Sequence, residues 1–475
     1  MRRIKQTGFI VATLFLTLFI ACGGGGNDKP STTTYTVTFN SKDGSPVSPI
    51  TGLQSGSAIN APSSPSRAGY TFGGWAASST SATPVSFPYT VTGNVTLYAI
   101  WNLIPSGAIE IRTQADLENI RNDLSGDYVL AANITLTGNW EPIGTRDDPF
   151  EGTFDGGAYT ISGMEIITLA DTKEPVGFFG YVYGAEIYNL HLTDVDINVE
   201  TYHAGGIAGY AKDSLIIGCD IEGSVFSDTT DTSDTSDTHT HAGGIAGYAD
   251  NSKISGCYIA GDVTAYGVFA AYAGGIAGRM GKNSVITDCV NDADVYAEAT
   301  EFAHAGGIAG YMDNNSLIDY CDNYGNIGSD FSYNALVGGI AGYAVNSEIS
   351  DCYNNGVVDA EALLYTNVGG IVGSADNSEI SGCYNDNTVS AFNGVYAYAA
   401  YVGGITGYLS HGAIIVDCGN DGDVYAEAME FAYAGGIAGI SFVLPSGITD
   451  CYNNGSIAAD ATNPYADEIT GRWMI

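Results

Sequence analysis

Eight cysteines, Cys219, Cys257, Cys289, Cys321, Cys352, Cys383, Cys418 and Cys451, recur at a near-constant interval. Thiols so spaced can form disulfides, bind metal or build an apolar row. Exported proteins favour disulfides. Equivalent thiols on stacked units, however, point the same way, which makes the disulfide torsion awkward. No unit holds a Cys-x-x-Cys pair for a metal. The expected reading is a buried ladder of free thiols. Three histidines, His203, His241 and His304, share one repeat position, which Tyr272, Tyr401 and Tyr433 occupy in other units. His203 and His241 on adjacent units invite a transition metal, but a mixed His/Tyr stack is the favoured reading. No His-Glu-x-x-His pair exists. Asp228, Asp231, Asp234 and Asp237, every third residue of one insertion, invite calcium without an EF-hand pattern, so a solvated loop is expected. No residue is assigned a catalytic or metal-binding role, and no cofactor is called for.

Alternation just before each repeat boundary is more informative. Val295, Ala297, Ala299, Glu301, Ala303 and Ala305 fall on one parity, and Tyr296, Glu298, Thr300, Phe302 and His304 on the other. Of the second set, Tyr296, Glu298, Phe302 and His304 recur in a later unit as Tyr425, Glu427, Phe431 and Tyr433. If the small residues face a core, the aromatics and acids form outward rows, of the kind used to bind sugars or proteins. These eight residues are the candidate binding surface; mutual stacking that only stabilises the fold is the other reading.

The elements that would carry them follow from the period. Gly-Gly pairs begin at Gly205, Gly243, Gly274, Gly306, Gly338, Gly369, Gly403 and Gly435, in steps of 31 to 38 residues. A fixed period of this length signals a solenoid whose units are stable only when stacked. Within a unit a two-residue beat runs through cysteine, as in Cys352, Asn354, Gly356, Val358 and Ala360. Asn occupies the second position after cysteine in six of eight units, and in-register stacking would bring those amides about 4.8 Å apart, within hydrogen-bond reach. Ile254 lies three residues before Cys257, so a bend must separate them. These marks predict an all-β chain, a parallel β-helix with about three short strands per coil, eight coils making a rod on the order of 40 Å. The segment GGIAGYADNSKISGCYIAGDVTA from Gly243 and its counterpart from Gly338 resemble the GLUG repeat of bacterial surface proteins, over residues 176–460. The resemblance implies surface attachment or presentation and supplies no catalytic residue. GLUG repeats also occur beside the catalytic domain of immunoglobulin-A-cleaving metalloproteases.

Ahead of the repeats, residues 108–175 are expected to hold a cap and the first coils, with a helix over TQADLENIRNDL (113–124), where Thr113 and Asp116 have capping spacing. Residues 461–475 are expected to be a tail. Residues 35–102 contain YTVTF, GYTFGGW and VTLYAIW, which resemble the Listeria–Bacteroides (internalin B-type) repeat. That resemblance implies a compact β-grasp-like module, with Trp75 and Trp101 as core. At the N-terminus, Arg2, Arg3 and Lys5 precede an apolar run from Phe9 to Ile20 that is short for a membrane span. It ends Phe19-Ile20-Ala21-Cys22, which resembles a bacterial lipobox. Residues 1–21 are expected to be a lipoprotein signal peptide, with Cys22 lipidated and 22–34 a tether.

The chain of 475 residues has 53 acidic and 15 basic residues, a net charge of −38, which disfavours nucleic acid and anionic membranes as partners. The expectation is a non-enzymatic bacterial envelope protein, lipid-anchored in the outer membrane or at the cell surface, presenting its β-helix to a host or matrix protein or a glycan. A polysaccharide lyase or hydrolase is the enzymatic alternative; between Gly205 and Cys451 its basic residues would be only Lys212, Lys253, Arg279 and Lys282. A passive stalk or a part of a larger envelope assembly is the third.

Overall fold

The computed structural model describes residues 34–67, 69–81, 83–85, 87–103, 107–167, 174–229, 239–392, 398–442 and 447–469. Cys22, the signal segment and Asp231, Asp234 and Asp237 lie outside them. The described chain is nearly all β, a solenoid of about 9 turns with a small N-terminal β domain.

In the small domain, Tyr35–Asn40 and Val95–Leu103 pair in parallel at the centre of a four-stranded sheet. Ile50–Leu53 and Tyr70–Ala76 flank them antiparallel. Alternation turns Val37, Phe39, Phe72 and Leu97 inward around Trp75, whose ring meets Phe39 at 4.9 Å and Phe72 at 5.2 Å. Trp101 is half-buried and its indole N–H donates to the Ser41 carbonyl at 2.8 Å.

The solenoid opens with Ile109–Ile111, paired to Asp127–Leu130, and a helix over Gln114–Asn119. Thr113 and Asp116 form the expected capping box, and Leu117 and Ile120 enter the solenoid core. The α-helix ends earlier than the sequence predicts, passing into a 3-10 turn at Ile120–Asn122. Asn119, Asn122 and Asp123 compete for the backbone there, which weakens the last turn.

Each later coil runs through three faces. In the coil from Ala341 these are Ala341–Val345, Glu348–Ser350, and the Tyr353–Asn354 and Val358–Gly369 segments. Every strand pairs in parallel with its counterpart one repeat on, for example Ile349 with Ile380 and Gly338 with Gly369. The bend before cysteine is a single left-handed residue, Gly256 (φ 63°) before Cys257 and Asp351 (φ 50°) before Cys352. Gly and Asp tolerate that conformation better than most residues. The predicted tail starts late, because Asn463–Asp467 still pairs with Phe431–Gly435; its alternating backbone simply continues the array past 460.

Two buried ladders run through the coils. The Asn354 amide donates to Asn385 Oδ1 at 2.7 Å and to the Gly356 carbonyl at 2.9 Å, and the pattern repeats from Asn291 to Asn453. The Gly-Gly pair makes room for it. A β-carbon at Gly339, the second glycine of its pair, would overlap both the Asn354 side chain and the Gly370 carbonyl. The cysteines form the other ladder; all eight are free and seven are fully buried, with Cys451 half-buried. The Cys352 thiol donates to the Ser350 carbonyl at 3.1 Å.

Replacing Asn354 with Ala leaves the Asn323 amide and Asn385 Oδ1 without their ladder partners, each at a cost of about 1–3 kcal/mol. The variant is expected to unfold at clearly lower denaturant, read by circular dichroism. Burial pushes the Cys257 and Cys352 thiols well up. Seven of the repeat thiols are shut off from solvent, so a thiol reagent on the native protein at pH 8 is expected to titrate Cys451 slowly and the other seven only after unfolding.

Candidate ligand-binding groove

The segment ending at each Gly-Gly pair turns sharply into the next strand, so residues seven apart face each other across the turn. His304 and Tyr311 stack with centroids 5.8 Å apart and Tyr401 meets Tyr408 at 6.0 Å. Parallel register extends each member into a row. One row begins His203, His241, Tyr272, His304, passes Leu336 and Asn367, and resumes at Tyr401, Tyr433 and Tyr465. The facing row begins Tyr181, Tyr210, Tyr248, is broken by Arg279, continues with Tyr311 and Tyr343, and is broken again by Ser374 before Tyr408. Between them lies an open groove of about 620 Å³, walled on its outer side by Phe269, Phe302 and Tyr365.

The predicted site residues divide between two places. Phe302 and His304 line the groove, while Phe431 and Tyr433 stand on the equivalent segment four coils on, in register with Tyr401's strand. Phe302 packs edge-on against Phe269 at 5.5 Å, and Phe431 against Tyr398 at 5.4 Å. Tyr296, Glu298, Tyr425 and Glu427 lie on the preceding strands, where each tyrosine hydroxyl donates to its own glutamate, at 3.1 and 3.0 Å. The outward rows expected from alternation are corrected for two residues. His304 and Tyr433 are 5% and 4% exposed, because the strand after the turn folds its own residues over them. The two quartets are also four coils apart, about 19 Å at the usual rung spacing, joined only through the groove. Sequence reading missed Tyr311, Tyr343, Tyr408, Asn367 and Ser374. A signal was present: five residues after the first glycine of each pair stands a tyrosine in five of eight units.

His203 and His241 stack with centroids 4.7 Å apart, part of a mixed His/Tyr row, and His241 Nδ1 lies 3.1 Å from the Tyr202 carbonyl. Groups of three His, Cys, Asp or Glu side chains that could hold a metal are absent among the described residues. Arg279 replaces a tyrosine without leaving a hole; its guanidinium sits 5.1 Å from both the Tyr248 and Tyr311 rings and is bound to Asp313 at 2.9 Å. Burial pushes the Tyr343 phenol to about 12, so it remains a hydrogen-bond donor. Burial, aided by the positive charge of Arg279 and by His239, lowers His304 to about 3.

The comparisons with known proteins match this architecture. The Listeria–Bacteroides repeat domain model matches residues 35–100, and the GLUG motif model matches 238–264, 333–359 and 365–390. The chain carries a Listeria–Bacteroides repeat domain and GLUG motifs. Two of the GLUG matches span the groove residues Asn334, Tyr343, Asn367 and Ser374. A protein of Evansella cellulosilytica named "Putative Gly-rich membrane protein" is 37% identical over 100 residues, 19% of this chain and 11% of that protein. The match thus spans about a tenth of that relative's length. A crystal structure described as "a putative immunoglobulin A1 protease from Bacteroides ovatus" aligns over 73% of this chain and 84% of that one, at 18% identity and a TM-score of 0.38.

The buried imidazole gives the GLUG region an acid sensitivity whose sign can be worked out. An unfolded histidine takes up a proton near pH 6.5, whereas folded His304 resists to about 3. Between those values the unfolded chain binds more protons, so the stability this ring contributes is full above pH 6.5 and falls as the pH drops toward 3. His304→Tyr, which copies Tyr272 and Tyr401 in the same row, is expected to flatten the fall in thermal midpoint between pH 7 and pH 4 relative to the parent chain.

Proposed function

We propose that this chain is a bacterial cell-surface protein, anchored by lipid at Cys22, that uses its solenoid without catalysis to bind a ligand in the ring-lined groove and so to mediate adhesion. One observation carries the reading: two facing rows of rings, interrupted at a few coils, leave an open groove that the fold does not require. A β-helix needs only inward-facing Ile, Val, Ala, Cys and Asn to stack; exposed aromatic walls are the mark of a binding surface. The Phe19-Ile20-Ala21-Cys22 sequence supports the anchor. The GLUG and Listeria–Bacteroides matches support a surface-type repeat protein.

Two measurements test this. Metabolic labelling with a fatty acid is expected to mark the protein and to vanish in Cys22→Ala. The purified mature chain is expected to bind immobilised matrix proteins or a glycan array, with Tyr311→Ser combined with Tyr343→Ser weakening it about tenfold. Binding to neither class, together with normal attachment by a deletion strain, would remove the adhesive reading.

A further inference from the structure

The sixth repeat breaks both ring rows at once. The seventh repeat places Tyr401 opposite Tyr408 and the fifth places Leu336 opposite Tyr343, whereas this coil has Asn367 opposite Ser374 and a ring in neither row. The gap is flanked by Leu336 and Tyr343 on one side and by Tyr401 and Tyr408 on the other. Of the other interruptions, Arg279 is packed between rings and bound to a carboxylate, and Leu336 leaves Tyr343 in place on the facing row.

Two polar atoms of the groove residues lack partners, one in this coil and one two coils away. Asn367 Oδ1 is buried without a hydrogen bond, and so is Nδ1 of His304, whose side chain is 95% buried from solvent by residue exposure of 5%. Such atoms cost stability unless something meets them. The amide row over a different face provides a contrast, since there Asn377 donates to Asn346 Oδ1 at 2.7 Å and Asn315 to Asn283 Oδ1 at 3.2 Å. The groove lining contains no Lys, Arg, Asp or Glu, in a chain of net charge −38. A cationic partner would find no carboxylate there, and an anion would find no cation. Ring faces alternating with amide, hydroxyl and imidazole groups suit a ligand that presents C–H faces and hydroxyls in turn. The rung spacing of about 4.8 Å is close to the length of one pyranose unit, so a linear chain can keep step with successive coils.

We infer that the groove binds a neutral glycan lying along the rod axis, with one sugar unit seated in the gap between Asn367 and Ser374. The amide of half-buried Asn367, turning its Oδ1 outward, accepts from a sugar hydroxyl and Tyr401 stacks on the ring face. This assignment rests on the groove being the binding surface and names what it takes.

The test uses the full mature chain, probed with soluble oligomers of β-1,4-linked glucose and N-acetylglucosamine and with mannan and xylan fragments. Polygalacturonate and heparin serve as acidic counterparts. Asn367→Tyr combined with Ser374→Tyr turns the sixth coil into a copy of the seventh, so both rows carry a ring at this coil and the fold is kept. At least one neutral oligomer is expected to bind in calorimetry, with little dependence on salt, and to lose affinity about tenfold or more in the filled variant. Asn367→Leu, which leaves the gap partly open, is expected to weaken binding less. Neutral binding unchanged by filling the gap, or binding confined to the acidic polymers, overturns the inference. A matrix protein whose binding is lost on filling the gap, with no neutral glycan bound, keeps the groove as the site and rejects the sugar. Absence of any ligand sensitive to the filling rejects both.

Discussion

A coil of parallel strands bonds to the next only when equivalent residues lie one above another, so each side chain's neighbours along the rod are its own counterparts. That condition selects what can be buried. A buried charge would meet its copy at every rung, whereas a primary amide carries donor and acceptor together and can bond to itself indefinitely. The row from Asn291 to Asn453 is such a chain, each link 2.7 Å. The Gly-Gly pair is its counterpart, since Gly307, Gly339, Gly370 and Gly404 each lie where a β-carbon would strike the amide of the same coil. Glycine pair and asparagine are therefore one device, though they stand about 16 residues apart in the chain. Cysteine fits the same rule as a small, polarisable group that tolerates its own copy.

The groove obeys the same condition with a different outcome. Ring upon ring is acceptable at a rung spacing, and Tyr401, Tyr433 and Tyr465 stack nearly parallel at 5.2 and 4.9 Å. A continuous ladder of rings would leave no vacancy between turns. Individuality arises where the ladder is interrupted, and the interruptions differ in kind. Arg279 is flat and is gripped by the rings on either side, so the row closes around it. Asn367 and Ser374 are both too short to reach across, and one coil becomes a recess.

Period, face and core were legible in the sequence because they depend on stacking alone. The coil direction, the inward Cys-Asn-Gly-Val beat and the thiol ladder all follow from counterparts lying over one another. The helix cap at Thr113 and Asp116 was legible as local chemistry. The burial of His304 and Tyr433 was hidden for a geometric reason. Alternation assigns a residue to the outside of its own strand, but the Gly-Gly turn folds the next strand's Tyr311 over His304. The outside of one strand is thus the inside of a corner. Only the contact across seven residues shows it, and a two-residue period carries no information about that contact. The tyrosine five residues after the first glycine recurs in five of eight units, yet its meaning depended on the same turn.

The acidity of the chain also has a structural source. Every coil needs left-handed residues at its corners, and outside glycine these are mostly Asn and Asp: Asp213 and Asn251 at one bend, Asp288, Asp351, Asp417 and Asp450 before four of the cysteines. Short polar side chains adopt that conformation at least cost. Repetition multiplies the choice, so part of the −38 charge is a consequence of turning corners. Those carboxylates follow the bends of the rod, while the groove lies between strands and is lined by rings, amides and a hydroxyl. The net charge therefore identifies no ligand; it keeps a large Gly- and Ala-rich solid apart from its neighbours. The few positions that the stacking rule does not dictate are the uncharged ones facing the groove, and there the proposed recognition would lie.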